Sequence, residues 1–98
     1  ALPISLDLNT RKCWKGDRLL DLTPTEFTIL NILCQNRGST VSSEDLFRTV
    51  WGDVYYSKST NPIPVHIRHL REKLEINPAE PRYIKVVWGK GYKMEKAP

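Results

Sequence analysis

From Asn61 to about Glu75 the chain repeats apolar residues at Ile63, Ile67, Leu70 and Leu74, a spacing of i, i+4, i+7 and i+11. At 100° per residue these four fall within about 60° of one another on a helix, so they form a single stripe that has to be buried. The opposite face then carries Asn61, Val65, Arg68, His69 and Glu72, with Arg71 and Lys73 at its flanks. Such a helix needs a core on one side and leaves a surface rich in hydrogen-bond donors on the other. The core must come from the rest of a 98-residue chain, a length that supports one domain and buries roughly two-thirds of the surface the unfolded chain would expose.

The preceding segments supply partners for that stripe. Ile4, Leu6 and Leu8 alternate with Ser5 and Asp7 as in a half-buried strand. Arg11 to Trp14 and Leu19 to Leu22 read as two further short strands around a Lys15-Gly16-Asp17-Arg18 turn. Thr23-Pro24-Thr25-Glu26 has the form of a capping box with proline at the first helical position. Phe27, Leu30, Leu33 and Cys34 follow at helical spacing, and Asn36-Arg37-Gly38 stops that helix. Val41 precedes Ser42, the cap of a second helix whose buried stripe is Leu46, Phe47, Val50 and Trp51 and whose end is Gly52. Residues 53–60 lack periodicity and form a loop carrying Tyr55 and Tyr56. After the third helix, Pro78 and Pro81 mark a connection. Tyr83 to Trp88, the tight turn Gly89-Lys90-Gly91, and Tyr92 to Glu95 then make a hairpin.

The start of the third helix contains a local conflict. Asn61 is a good cap, Pro62 suits the first position, and Pro64 falls in the first turn where amides lack helical partners anyway. Ile63, however, precedes a proline and is biased away from helical backbone. A start with Asn61 as cap keeps Ile63 on the stripe; the alternative is a start one or two residues later.

Charge separates the chain into halves. Residues 1–59 hold seven basic and seven acidic side chains, whereas residues 60–98 hold eight basic against four acidic, so the whole net charge of +4 lies in the second half. A basic half containing a donor-rich helix and a hairpin with Lys85, Lys90 and Lys93 suits an anionic polymer. Major-groove binding needs such a helix, and a narrow basic hairpin tip fits the minor groove or a line of phosphates. No apolar run approaches the roughly 20 residues of a membrane span, and the N-terminal residues lack the form of a signal peptide. Cys13 and Cys34 match neither a zinc spacing nor a disulfide scaffold, and a reduced, cytoplasmic setting is expected. Cys34 lies on an apolar face with no recognisable base. His66 and His69, three residues apart, lack an evident third ligand. No catalytic residue, metal or cofactor is therefore expected.

Four strings in order make the chain resemble the effector domain of OmpR/PhoB-type response regulators. They are Thr23-Pro24-Thr25-Glu26-Phe27, Val50-Trp51-Gly52, the run from Val65 to Leu74, and Trp88-Gly89-Lys90-Gly91-Tyr92. The C-terminal strings are most similar to regulators of vancomycin-resistance clusters. The resemblance implies an α+β fold, a winged helix-turn-helix with an N-terminal four-stranded antiparallel sheet, three helices and a C-terminal β-hairpin wing. It also implies a function: sequence-specific binding of double-stranded DNA by a two-component transcriptional regulator whose receiver domain precedes this one. Nothing in the chain matches a receiver.

On this resemblance the DNA-binding residues are Asn61, Val65, Arg68, His69 and Arg71 of the recognition helix and Lys85, Trp88 and Lys90 of the wing. The loop with Asp53, Tyr55, Tyr56 and Lys58 is the one relatives use to contact RNA polymerase. An isolated domain is expected to be a monomer that assembles as a tandem pair on direct-repeat DNA. Two departures stand out. Pro62 and Pro64 occupy positions where many relatives carry polar or acidic residues, and Trp88 stands where some place a minor-groove arginine, which shifts that role to Lys90. Trp51 is expected in the core, and Trp88 is open to a bracing role. The competing reading, a winged helix used only for protein contact, predicts an apolar outer face on the third helix and no salt-dependent DNA binding.

Overall fold

The computed structural model describes residues 2–95; Ala1 and Lys96, the last cation of the basic half, lie outside the described residues. Strands β1 (Ile4–Asp7), β2 (Lys12–Lys15) and β3 (Arg18–Leu20) form an antiparallel sheet in that order. Helix α1 (Pro24–Gln35), strand β4 (Thr40–Val41) and helix α2 (Ser43–Trp51) follow. Next come a short 3-10 turn (Lys58–Thr60) and helix α3 (Ile63–Leu74). Strands β5 (Ile84–Val87) and β6 (Gly91–Met94) close the chain as a hairpin, and β4 pairs with β6 in a second antiparallel sheet of order β4-β6-β5. The α+β winged-helix architecture expected from the sequence is present.

Its N-terminal sheet has three strands among the described residues, where four were expected. The reason is spacing: only Asp21 and Leu22 separate β3 from Thr23, the cap of α1, so no room remains for another strand. Two strand ends also differ. The Asp7 carboxylate accepts the Asn9 and Thr10 amides at 3.0 and 3.3 Å, which turns the chain and leaves Leu8 exposed instead of on the half-buried face. Lys15 pairs with Arg18, so the turn between them is only Gly16-Asp17.

The capping box forms as its residues predict. Thr23 Oγ1 accepts the Glu26 amide at 3.2 Å, and Glu26 Oε1 accepts the Thr23 amide at 3.0 Å. Lys73 on α3 also donates to Glu26 Oε1, at 2.6 Å, so the cap of α1 is tied to the third helix. Ser42 caps α2 by accepting the Asp45 amide at 3.0 Å. The core gathers Phe27, Ile29, Leu30 and Leu33 of α1, Leu46 of α2, the whole α3 stripe, and Ile84 and Met94 of the hairpin. Cys13 belongs to it too, and burial pushes its thiol up to about 11, while burial also raises Cys34. Both are neutral packing groups at physiological pH.

Helix α3 does not take Asn61 as its cap: it starts one residue later, at Ile63, with Pro62 in the cap position. Ile63 is helical and fully buried, as the stripe requires. The first helical carbonyl, however, is that of Pro62, which accepts the Val65 and His66 amides at 3.1 and 3.4 Å. Asn61 lies just outside the helix, and its Oδ1 accepts the Ile63 amide at 3.0 Å. Prolines 62 and 64 have no N–H, so Ile63 offers the one first-turn amide left without a carbonyl, and Asn61 satisfies it.

Burial alone would raise the Glu26 carboxyl, but the Lys73 hydrogen bond, the Thr23 amide and the nearby charges of Lys73 and His69 outweigh it and hold it below its ordinary 4.5. A carboxyl lowered in the folded state stabilises the fold fully above its unfolded value and loses that contribution as pH falls through the folded one. Glu26→Gln should cost about 1–2 kcal/mol at neutral pH, a charge-assisted bond discounted for the solvent access of Lys73. In urea unfolding, the gap between Glu26→Gln and the unaltered chain should hold from neutrality down to about pH 5 and close below 4.5. A gap independent of pH would assign the effect to packing.

Two wing glycines should respond differently to alanine. At Gly91 (φ +147°) a Cβ would collide with the Val41 carbonyl and the Ser42 Cα, whereas at Gly89 (φ +75°) it would meet nothing within 4 Å. Gly89→Ala should therefore lose about 1 kcal/mol for backbone conformation alone. Gly91→Ala should lose clearly more and separate the wing from the β4–α2 junction. Equal losses in urea midpoint would contradict this seating of the wing.

Candidate nucleic-acid interface

Burial of Ile63, Ile67, Leu70 and Leu74, each at 0–1% exposure, fixes which side of α3 faces outward. That side presents Pro64, Val65, Arg68 and Glu72. The Arg68 side chain is 68% exposed, and its Nε lies 3.8 Å from Glu72 Oε1, one turn on. An exposed pair at that distance is worth little and is easily exchanged for another anion. His69, expected on the outer face, is half-buried instead and stands edge-on to His66, which packs against Trp51. Among the described residues no third metal-ligating side chain joins the two histidines. Trp51 packs half-buried against the core, as expected, with Phe47 at 4.9 Å.

Arg71 has a different task from the one expected of it. Its Nε and Nη2 both donate to the Ile84 carbonyl, at 3.2 and 2.9 Å, joining α3 to β5. Glu75, buried just past the helix, accepts the amides of Arg82, Tyr83 and Ile84. Lys15 Nζ donates to the Leu74 carbonyl at 2.8 Å, where the negative end of the helix favours a cation. None of these three anchors has a periodic signature. In the sequence Lys15 is legible only as a turn residue and Glu75 only as a helix end, for that reason.

The wing tip is shifted by one residue from its expected position. Val87 pairs with Gly91, so Trp88 belongs to the turn and Gly91 to the strand. The Lys90 amide donates to the Val87 carbonyl at 2.9 Å, with Gly89 at the positive-φ position such a turn demands. Trp88 is 88% exposed and so braces nothing. Lys90 is exposed beside it. Lys85 stands opposite Lys93 in the hairpin register, on the sheet face away from Ile84, Tyr92 and Met94.

The structure divides the loop of residues 53–60. Tyr55 is exposed with Val54, whereas Tyr56 is half-buried, its ring edge-on to Phe47 at 5.4 Å. Asp53 is exposed near the end of α2. Lys58 opens the 3-10 turn and, with Tyr56 and Asn61, forms one bank of a groove whose other bank is the wing tip with Trp88 and Lys90. Lys85 does not line that groove. Val65 and Arg68 therefore lie on an exposed α3 face, and Tyr56, Lys58, Asn61, Trp88 and Lys90 line an adjoining groove, while Asp53, Tyr55, His69, Arg71 and Lys85 stand apart from both.

At the first turn of α3 no amide remains free. Prolines 62 and 64 lack one, Ile63 donates to Asn61, and Val65 donates to Pro62. The backbone anion site that a helix N-terminus usually offers is thus absent here. Any phosphate near this end must be held by side chains.

Comparison with known proteins gives the same architecture a lineage. The model of the family described as "Transcriptional regulatory protein, C terminal" matches residues 16–94. The regulatory protein VanR of Enterococcus faecium is 58% identical over 91 residues, which is 93% of this chain and 39% of VanR. The chain thus spans well under half the length of the curated relatives it matches. Among solved structures, the DNA-binding domain of Klebsiella pneumoniae RstA, in complex with the RstA box, superposes with a TM-score of 0.86 at 27% identity, covering 97% of this chain and 94% of that one. The DNA-binding domain of CpxR from E. coli superposes with a TM-score of 0.85 at 33% identity, covering 97% and 92%. With the match extending over nearly all of the described fold, this chain belongs to the family of C-terminal domains of transcriptional regulatory proteins, of OmpR/PhoB type.

Proposed function

We propose that this chain binds double-stranded DNA sequence-specifically, as the effector part of a two-component transcriptional regulator, and carries out no catalysis. The observation that carries the reading is the outward face of α3, which holds Val65 and Arg68 opposite a fully buried stripe and beside an exposed basic wing. A helix fits the major groove, where an arginine can bond a guanine through two acceptors and a valine can touch a thymine methyl. The wing then meets the minor groove or the backbone through Trp88 and Lys90. A protein-docking face would need apolar residues along the outer helix, and beyond Pro64 and Val65 the exposed positions of α3 are Arg68, Glu72 and Lys73. The RstA domain, similar in fold, was solved on its DNA box.

The finer assignments belong to the same proposal. Asn61 and His69 flank the reading face, and Arg71 acts by holding the helix to the wing. Tyr55 and Asp53 form the exposed part of a surface for RNA polymerase, with Tyr56 as its packed base. A receiver domain precedes this one in the whole protein, which works in the cytoplasm. Alone, the domain is a monomer; on DNA, two copies lie in tandem on direct repeats. Sedimentation with and without a direct-repeat duplex separates this arrangement from a preformed dimer.

Arg68→Ala should cost about 1–3 kcal/mol of binding and relax specificity at one base pair. Arg71→Ala should instead lower the urea midpoint, since it leaves the Ile84 carbonyl without its donor, and weaken all duplexes alike. Titration of both variants against a selected duplex and a random one checks the division. Equal loss on both duplexes with Arg68→Ala would reduce that residue to a phosphate contact.

A further inference from the structure

The loop of residues 53–60 is the one that the family resemblance assigns wholly to polymerase, yet the structure divides it. Tyr55 points into solvent, while Lys58 turns onto the groove shared with the wing. We infer that Lys58 is a DNA contact, and that it and Lys90 clasp one sugar–phosphate strand from opposite banks of this groove.

Three observations support the clasp. First, the groove is continuous with the reading face, because Asn61, which lines its near bank, stands just before α3 and accepts the Ile63 amide of its first turn. A duplex seated on α3 therefore brings its backbone toward the wing and the 3-10 turn together. Second, the charges suit a polyanion. Lys58 and Lys90 are exposed and make no ion pair or side-chain hydrogen bond among the described residues, and the one carboxylate lining the groove, Glu44, already faces Arg48 at 3.6 Å. Third, the size fits. The groove is open to solvent and offers about 490 Å³ between its banks, room for a stretch of sugar–phosphate backbone to lie in it. Trp88 on the wing bank supplies an apolar surface for a deoxyribose face, and Ser43, which also lines the groove, supplies a hydroxyl.

The clasp also answers a deficit described above. The first turn of α3 has no free amide for a phosphate, and Arg71 is committed to Ile84. Side-chain cations outside the helix have to take over register on the backbone. Lys58 and Lys90 are the cations positioned to do so.

The inference rests on the DNA-binding reading, and the test keeps the two apart. Binding of the chain to a duplex it has selected from a random pool is titrated at several salt concentrations for the unaltered chain, Lys58→Gln, Lys90→Gln, the double variant, and Lys12→Gln on β2 as a control away from the groove. Each groove lysine removed should lower the slope of log K against log salt by about 0.9, the double variant by about 1.8, and Lys12→Gln by nothing. If the unaltered chain binds with a steep slope and Lys58→Gln leaves it unchanged, the clasp is overturned and the DNA-binding reading stands. Loss of polymerase recruitment by Lys58→Gln at unchanged slope would overturn it in the same way. If the unaltered chain shows no salt-dependent binding, the DNA-binding reading itself is overturned.

Discussion

Everything in this molecule that faces a ligand depends on the seating of α3. Its four stripe residues are buried to within 1% of completely, on the side of α3 that packs against α1 and α2. Burying side chains of this size stabilises by about 1.5–3 kcal/mol each, and the direction of the stripe decides the direction of Arg68. Apolar packing fixes the rotation of a helix, but it resists sliding only weakly. Polar anchors at the C-terminal end supply that resistance. Lys15 holds the Leu74 carbonyl, Arg71 holds Ile84, and Glu75 gathers three consecutive amides of the next segment. Helix and hairpin are thereby one rigid piece, which is what a two-part interface on a regular polymer requires.

The same anchors change the meaning of the net charge. Of the cations, Arg11, Lys15, Arg37, Arg71 and Lys73 donate to carbonyls, a hydroxyl or a buried carboxylate within the fold. Arg68, Lys58 and Lys90 do not, and they lie on one side of the molecule, around α3 and the groove beside it. A count of basic residues finds the polyanion-binding half; only the hydrogen bonds separate the cations that build the fold from those available to a ligand. Arg71 and Arg68, three residues apart on one helix, fall on opposite sides of that line.

Much of this was legible in the sequence, and the legible parts share a cause. The capping box at Thr23, the Ser42 cap, the α3 stripe and the turn around Gly89 each follow from local rules that act within a few residues. What stayed hidden was non-local or depended on a single residue of register. Leu8 left its strand because Asp7 closes a turn. Trp88 became a turn residue because Val87 pairs with Gly91, and a one-residue shift of that kind exchanges roles along a hairpin. Tyr55 and Tyr56 are indistinguishable as adjacent letters, and only the position of Phe47 sends one inward. Lys58 joined the groove because of how the 3-10 turn meets the wing, 30 residues further on.

The central claim is that one contiguous surface, formed by the outer face of α3, the 3-10 turn and the wing tip, receives the DNA while the N-terminal sheet does not. Amide chemical shifts of the labelled chain, followed during titration with a selected duplex, test it most directly. The account predicts shifts concentrated at Asn61, Val65, Arg68, Lys58 and residues 88–90, with β1, β2 and β3 nearly silent. Shifts concentrated on the N-terminal sheet, or around Leu2 and Ile76 at the far end of α3, would contradict it.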